Sequence, residues 1–190
     1  GGPNLLANPG FETGTFSSWT QYGGGDRQVR GPGWLGGAGP HSGNYGTMGA
    51  ASGGLVHGGV YQRVAATPGN EYRLSGWIWT YSDANLWSRN ECTMCVLGLD
   101  PMGGTNPGSN NVITPGIEER WYHNPNCVWT ADTMSQNGGP NILYGYLNGV
   151  WTNIGVSAIA TSNYVTAFAY GGNDRAAAWS IYAIDDLVLT

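Results

Sequence analysis

The chain has 190 residues and a formal net charge of −5, from 12 acidic and 7 basic side chains. Charged residues make up 10% of the chain, against about 25% in an ordinary soluble domain. Nucleic-acid binding needs a basic surface, so this composition excludes nucleic acid as the expected partner. No apolar run is long enough to span a membrane. The length predicts one domain over residues 1–190, with a surface that is mostly small, polar and aromatic.

The chain begins with a short apolar segment, a forced turn and a carboxylate. Residues 4–6 (Asn-Leu-Leu) have the pattern of a strand. Residues 8–10 (Asn-Pro-Gly) form a turn, because proline fixes one backbone angle and glycine permits the next. Glu12 follows directly. No basic segment followed by an apolar one is present, so we expect that any secretion signal has been removed and that the protein is secreted or lies at the cell surface.

The clearest strand pair is predicted over residues 58–65 and 70–81, joined by a turn at 67–69. Successive side chains of a strand point to opposite faces, so Leu74 and Ile78 mark the core face of the second strand. The other face carries Arg73, Ser75, Trp77, Trp79 and Tyr81. On an outer face these residues would form an exposed aromatic strip, which is typical of a binding surface. The alternative is that the strand is covered on both sides and the tryptophans are packing residues.

Three further tryptophans lie in segments without strand periodicity. Trp34 sits in the glycine-rich loop 31–43, as a lid over a site or a plug beneath the sheet, and Trp87 sits in the polar loop 82–90. Trp121 belongs to the segment 115–140, which is either an elaborated ligand loop or a contact to another subunit.

The three cysteines are Cys92, Cys95 and Cys127. One CxxC pair without a second pair or paired histidines makes a zinc site improbable. In an exported protein we expect one disulfide, from Cys127 to Cys92 or to Cys95, with the third thiol buried or bonded to another chain.

The last third of the chain returns to strands, predicted over 151–160, 163–170 and 176–189. Several short strands separated by Gly and Pro turns, without a helical period, predict an all-β fold, a two-sheet antiparallel sandwich. The final strand carries Asp185 and Asp186. If the first and last segments pair, their acids can gather oxygens around one hard cation.

Several of these segments together resemble the jelly-roll carbohydrate-binding modules of the group of families four, nine, sixteen and twenty-two. The resemblance covers about two-thirds of the chain and rests on short motifs in a fixed order: residues 4–12, Ser18-Trp19, Tyr61-Gln62, Pro68-Gly69, residues 72–75, residues 98–104, residues 165–168 and residues 184–189. The resemblance implies a sandwich of the jelly-roll, galactose-binding-like type and a structural calcium ion that joins the first and last strands. Carried over to this chain, the ligands are Glu12 and Asp185, with carbonyls from Gly10 and from a residue near Ser42. The alternative is that Glu12 and Asp185 are solvated or bonded to turn amides.

Catalytic patterns are weak in this sequence. None of His41, His57 and His123 stands with a serine and an acid in a nucleophile motif. A glycosidase needs two carboxylates across a cleft, whereas adjacent acids in a strand, such as Asp185 and Asp186, point opposite ways. The sequence therefore predicts a protein that is not an enzyme.

Two functions remain. The first is an extracellular non-catalytic module that binds a neutral polysaccharide or glycan through an aromatic sheet face drawn from Trp77, Trp79, Tyr81 and Trp87, with Arg73 beside them and Trp34 or Trp121 as additional candidates. The second is a structural subunit that binds copies of itself in a filament, coat or appendage. The absence of lysine, the scarce charge, the odd cysteine and an extended N-terminus that could add a strand to a neighbour all suit the second function.

Overall fold

The computed structural model of the protein describes residues 2–33, 39–51, 56–82, 93–114, 150–173 and 180–190. Trp34, Trp87, Trp121, Cys92, Cys127 and the whole segment 115–140 lie outside the described residues, so the predictions made for them stay predictions. No helix of the described residues is long and apolar enough to cross a membrane.

Within the described residues, nine strands form two sheets. Their bounds are β1 Thr20–Gly23, β2 Asp26–Arg30, β3 Gly46–Ala51, β4 Val56–Ala65, β5 Glu71–Ser82, β6 Thr93–Asp100, β7 Thr152–Ile159, β8 Tyr164–Asn173 and β9 Ser180–Leu189. The first sheet has the order β1-β4-β8-β6, and the second has the order β2-β3-β9-β5-β7. All neighbouring strands are antiparallel. This architecture confirms the predicted all-β two-sheet sandwich.

The core lies between the two sheets and is built from alternate residues of each strand. Leu74 and Ile78 of β5 are fully buried there, as their register predicted. They pack in one cluster with Leu97 and Leu99 of β6, from the opposite sheet. The faces of β5 are therefore assigned correctly from the sequence, and the odd-numbered residues 73–79 point to the outer side of the second sheet.

Tyr182 of β9 ties the two sheets together. Its ring occupies the space that a β-carbon on Gly49 would need, in contact with that position across the β3–β9 pair. Its hydroxyl donates to the carbonyl of Gly58, in the first sheet, at 2.9 Å. Burial raises the pKa of the Tyr182 phenol well above its usual value, so the hydroxyl remains a donor.

The two ends of the chain lie side by side, as predicted. The Asn4 side chain donates to the Leu187 carbonyl at 2.9 Å and accepts from the Leu189 N–H at 3.0 Å. The Leu5 N–H donates to the Leu189 carbonyl at 2.9 Å. The first residues are thus bound along the end of β9 in the same chain, and this pairing places the turn at residues 8–11 beside the acids of β9.

Candidate functional site

Three acidic residues surround Gly10 at the junction of the chain ends. A β-carbon built on Gly10 would lie 3.5 Å from Asp186 Oδ1, 3.6 Å from Asp185 Oδ1 and 3.6 Å from Glu12 Cγ. The turn that places Gly10 there has left-handed backbone at Asn8 (φ 49°), and Leu187 N–H donates to the Pro9 carbonyl. The structure therefore brings together Glu12, Gly10 and Asp185, which the sequence grouped.

An extra residue in β9 explains why both aspartates reach this place. The β5–β9 register shifts between Ser75 and Trp77, and Asp186 has left-handed backbone with φ 50°. Such a bulge turns a side chain away from the regular alternation. The prediction that Asp185 and Asp186 point opposite ways is therefore wrong, because it assumed an unbroken strand.

Asp185 is buried with unusual electrostatics. Its side chain has no exposed surface. Burial, and next the nearby charge of Asp186, raise the pKa of Asp185 to about 7, while backbone N–H groups of Ser42, Asp186 and His41 act in the opposite direction. Its Oδ1 accepts from the Asp186 N–H at 2.7 Å, and its Oδ2 accepts from the Ser42 N–H at 3.3 Å. Its partners among the described residues are backbone N–H groups, so none of the described residues compensates the carboxylate with a positively charged side chain.

Asp186 is tied to the loop that approaches from residues 39–45. The Ser42 hydroxyl lies 2.7 and 2.8 Å from its two carboxylate oxygens, and His41 Nδ1 lies 2.6 Å from Oδ2. The Glu12 carboxylate is bonded to the same loop, because it accepts from the N–H groups of Asn44 and Tyr45 at 3.0–3.3 Å. Glu12 is thus bonded to turn amides, which was the alternative to a metal ligand.

The carboxylate oxygens at this junction are the kind of ligand atom that a hard cation binds. Two of the three side-chain atoms nearest the Gly10 position are carboxylate oxygens, from Asp185 and Asp186, whereas Glu12 presents its Cγ there. Calcium prefers oxygen ligands and accepts carbonyls beside carboxylates. Within the described ranges, no group of three or more His, Cys, Asp or Glu side chains is placed to hold a metal ion. A calcium site here would therefore need Asp185 and Glu12 together with backbone carbonyls, and Glu12 would have to exchange its amide partners for the ion.

The outer face of β5 differs from the predicted aromatic strip. Trp79 keeps only 3% of its surface exposed, so its prediction as an exposed ring is wrong. Trp77 is half-buried, and the imidazole of His41 stacks on its ring with centroids 3.9 Å apart. Trp151 meets the same imidazole edge-on, at 5.7 Å. The alternation in β5 correctly predicts which side chains point outward, but it does not predict which groups cover them. Here the loop residue His41 covers the ring of Trp77.

Arg73 is exposed near the other end of this face, and its guanidinium lies over Gly155 of β7 in the space a β-carbon would fill. The backbone of Tyr81 pairs with Ile181 in the β5–β9 ladder, and its side chain lies outside what the structure describes. Of the predicted ligand-binding residues that the structure describes, Arg73 and Trp77 lie on one face, with Trp79 beneath its surface.

A second aromatic surface lies on the outer side of the first sheet and was missed by the sequence analysis. Tyr61 of β4 lies 5.6 Å from Phe168 of β8 and 6.2 Å from Tyr22 of β1, measured between ring centroids. Phe168 is fully buried under Val112, which also contacts the position of Gly98 in β6. The half of the sheet over β6 is therefore covered, whereas Tyr61 and Tyr22 over β4 and β1 remain half-exposed.

Two more side chains extend this surface along the strands. Arg63 is two residues from Tyr61 on the same face, and its guanidinium carbon lies 3.7 Å from the centroid of the Tyr164 ring. Tyr164 is 41% exposed. We call this surface the tyrosine face and define it by Tyr22, Tyr61, Arg63 and Tyr164. The Tyr22 hydroxyl is enclosed, and burial, followed by the nearby tyrosines 170 and 182, raises its pKa well above its usual value.

The signal for the tyrosine face was present in the sequence as a period of two. In β4, Tyr61 and Arg63 alternate with Val60, Gln62 and Val64. In β8, Tyr164, Thr166 and Phe168 alternate with Val165 and Ala167. The predicted binding face was placed on the other sheet instead, because the tryptophans of β5 are the larger aromatic side chains.

Two further side chains are explained by local contacts. Asp100 accepts from the Met102 N–H at 2.8 Å and so bonds the backbone of the turn after β6. Cys95 is a free, buried thiol whose pKa is raised by burial, so a disulfide between Cys127 and Cys95 is not found.

No family model matches the sequence, and a search of curated proteins found no match. Solved structures match along nearly the whole chain. A family 61 carbohydrate-binding module in complex with β-1,4-galactotriose superposes with a TM-score of 0.59 at 20% identity, covering 100% of this chain and 99% of that one. A family 22 xylan-binding domain from Paenibacillus barcinonensis has a TM-score of 0.53 at 13% identity and covers 99% and 94%. A cleaved adhesin domain of Lys-gingipain from Porphyromonas gingivalis has a TM-score of 0.55 at 15% identity and covers 95% of each chain.

These likenesses concern the backbone, because all three identities lie at or below 20%. Two of the three are carbohydrate-binding modules, and the chain shares their β-sandwich fold, which confirms the resemblance drawn from its short motifs.

Proposed function

We propose that this protein is a non-catalytic carbohydrate-binding module. The observation that carries the proposal is the tyrosine face, where the ring of Tyr61 lies half-exposed on an otherwise regular sheet with Tyr164 and Arg63 beside it. A sugar presents C–H groups on one face of its ring, which stack on an aromatic ring while nearby polar groups bond the hydroxyls. The galactotriose and xylan ligands of the solved relatives support this class of ligand.

The scarcity of charge in the chain also supports a polyhydroxyl ligand. Only 10% of the residues are charged, so most surface contacts come from small polar and aromatic groups. Hydrogen bonds to exposed sugar hydroxyls replace bonds to water at little net gain, so we expect modest affinity for each sugar unit. We place the protein outside the cell, where such ligands are found, as part of the same proposal.

Arg73 and Trp77 form a second candidate contact on the opposite sheet. Arg73 is exposed, but one ring face of Trp77 is occupied by His41, so only the remaining ring surface is open to a ligand. We therefore propose the tyrosine face as the main contact and the β5 face as the lesser one.

We also propose a structural calcium ion at the junction of the chain ends, held by Asp185 and Glu12 with carbonyls from Gly10 and the loop at Ser42. The buried Asp185 carboxylate supports it, because a cation would stabilise the charge that burial and Asp186 disfavour.

The filament-subunit hypothesis has less support from the described residues. In this hypothesis the extended N-terminus adds a strand to the sheet of a neighbouring copy. In the structure, Asn4 and Leu5 are instead bonded to β9 of their own chain. Self-assembly remains a prediction from composition alone.

Polysaccharide retention in native gels tests the proposed function. The wild type, Tyr61→Ala and Tyr61→Phe are run through gels containing xylan, galactan or glucomannan. We expect Tyr61→Ala to weaken retention about tenfold and Tyr61→Phe to keep most of it, because stacking needs the ring and not the hydroxyl. Trp77→Ala is run as the test of the β5 face. Equal retention of Tyr61→Ala and wild type would contradict the tyrosine face as the main contact. No retention of the wild type by these polymers or by polygalacturonate would contradict the proposed function.

A further inference from the structure

We propose that the tyrosine face binds glycans that carry carboxylates, of the uronic-acid type, and that Arg63 recognises the carboxylate. This inference rests on the proposed function and names its ligand class. It departs from the neutral ligand that the overall composition predicts, because the composition does not describe the charge of one face.

Arg63 lies in the row of residues that a bound sugar chain would follow. It is opposite Thr166 in the β4–β8 ladder and two residues from Tyr61 on the same face. Two residues along a strand span about 6.8 Å, so one sugar unit can stack on Tyr61 while a carboxylate attached to it, or to its neighbour, reaches Arg63.

The guanidinium of Arg63 is held in place before any ligand arrives. Its central carbon lies 3.7 Å from the centroid of the Tyr164 ring. Stacking on a ring leaves the N–H groups free at the edge of the guanidinium plane, where they can bind both oxygens of a carboxylate. A side chain that is already ordered loses less conformational entropy on binding.

The charge of Arg63 has no acidic partner among the described residues. Among the described residues, the one ion pair joins His41 and Asp186, at the second sheet. The acid nearest to Arg63 in the same row is Asp100, which pairs with Thr166 across the next strand and is 1% exposed. Two strand spacings, about 9.6 Å, separate the backbones of Arg63 and Asp100. Arg63 is therefore a solvent-accessible positive charge beside exposed rings.

The net charge of −5 acts against acidic ligands at long range. At physiological salt, charges more than about 8 Å apart are largely screened. The contact with Arg63 therefore decides the preference for acidic over neutral glycans once the glycan is bound. The alternative is that Arg63 only packs on Tyr164 and contributes nothing to ligand choice.

Isothermal titration with one polymer in two forms separates these alternatives. The probes are polygalacturonate and the same polymer after its carboxyl groups have been reduced to alcohols, each at 0.15 M NaCl. We expect the wild type to bind the acidic form about tenfold more tightly than the reduced form. Arg63→Gln should bind both forms equally, and Arg63→Lys should keep part of the preference, because an ammonium lacks the planar fork. Arg30→Gln removes the same charge from an exposed position on the edge of the second sheet and should leave the preference unchanged.

The outcomes distinguish this inference from the function on which it rests. If the wild type binds both forms equally and Tyr61→Ala weakens both, the module binds sugars and the role of Arg63 is wrong. If Arg63→Gln keeps the preference for the acidic form, the inference is also wrong. If neither form binds and no neutral polymer is retained, both the inference and the proposed function fall.

Discussion

The imidazole of His41 lies nearly parallel to the indole of Trp77, with planes 15° apart and centroids 3.9 Å apart, and its Nδ1 lies 2.6 Å from Asp186 Oδ2. One loop residue thus covers a predicted sugar-binding ring and contacts an acid of the chain-end junction. The stability of the junction and the accessibility of Trp77 should therefore change together.

His41→Ala should lower the free energy of unfolding by about 1–2 kcal/mol, because it removes a ring contact and a hydrogen bond to a carboxylate. It should also make tryptophan fluorescence easier to quench with acrylamide, because the ring of Trp77 is uncovered. Urea unfolding and quenching measurements check both effects.

His41→Phe is the matched control for this prediction, since it keeps an aromatic ring over Trp77 and loses the bond to Asp186. We expect quenching close to wild type and an intermediate stability. A His41→Ala protein with wild-type stability and quenching would contradict the stacking as a stabilising contact.

Calcium should raise the melting temperature through Asp185. At a free calcium concentration of one hundred times Kd, binding to the folded state alone stabilises by about 2.7 kcal/mol, which corresponds to a shift of several degrees. Asp185→Asn should lose the response to calcium, and Asp26→Asn, which removes an acid at the start of β2, should keep it. A wild-type melting curve that is the same in calcium and in chelator would argue against the ion.

The metal-free protein should become less stable as pH rises. The pKa of Asp185 is raised from 3.8 to about 7 in the folded chain, so folding favours the protonated acid. Its contribution to stability is full below pH 3.8 and is lost as pH rises through about 7. In chelator, the melting temperature should fall between pH 5 and pH 8 by more in the wild type than in Asp185→Asn. Equal pH profiles for the two proteins would count against a raised pKa at this position.

Gly49→Ala should destabilise the fold strongly, because the Tyr182 ring already fills the position of the new methyl group. Overpacking of a buried contact costs about 1–3 kcal/mol, and the ring cannot move without losing its bond to the Gly58 carbonyl. Gly2→Ala is the control, since nothing lies within 4 Å of its β-carbon position. Denaturant unfolding measures both variants, and a Gly49→Ala protein as stable as the control would show that the ring can relax.

Local sequence patterns were sufficient for the strands and their inward faces, because alternation in β5 and the turns around it act within a few residues. Leu74 and Ile78 were placed in the core on that basis and are buried there. What covers the outward face depends on residues far away in the chain, so the stacking of His41 on Trp77 was not foreseeable. The same holds for Asp186, whose direction is set by a bulge that no local motif announces.

The position of β9 has a consequence for how the protein is made. This last strand lies between β3 and β5, so the second sheet has two unpaired inner edges until residues 180–189 have left the ribosome. Chains interrupted before that point expose those edges to one another and are prone to aggregate. Completion of the second sheet therefore waits for β9, and it depends on bringing distant segments together rather than on local hairpins.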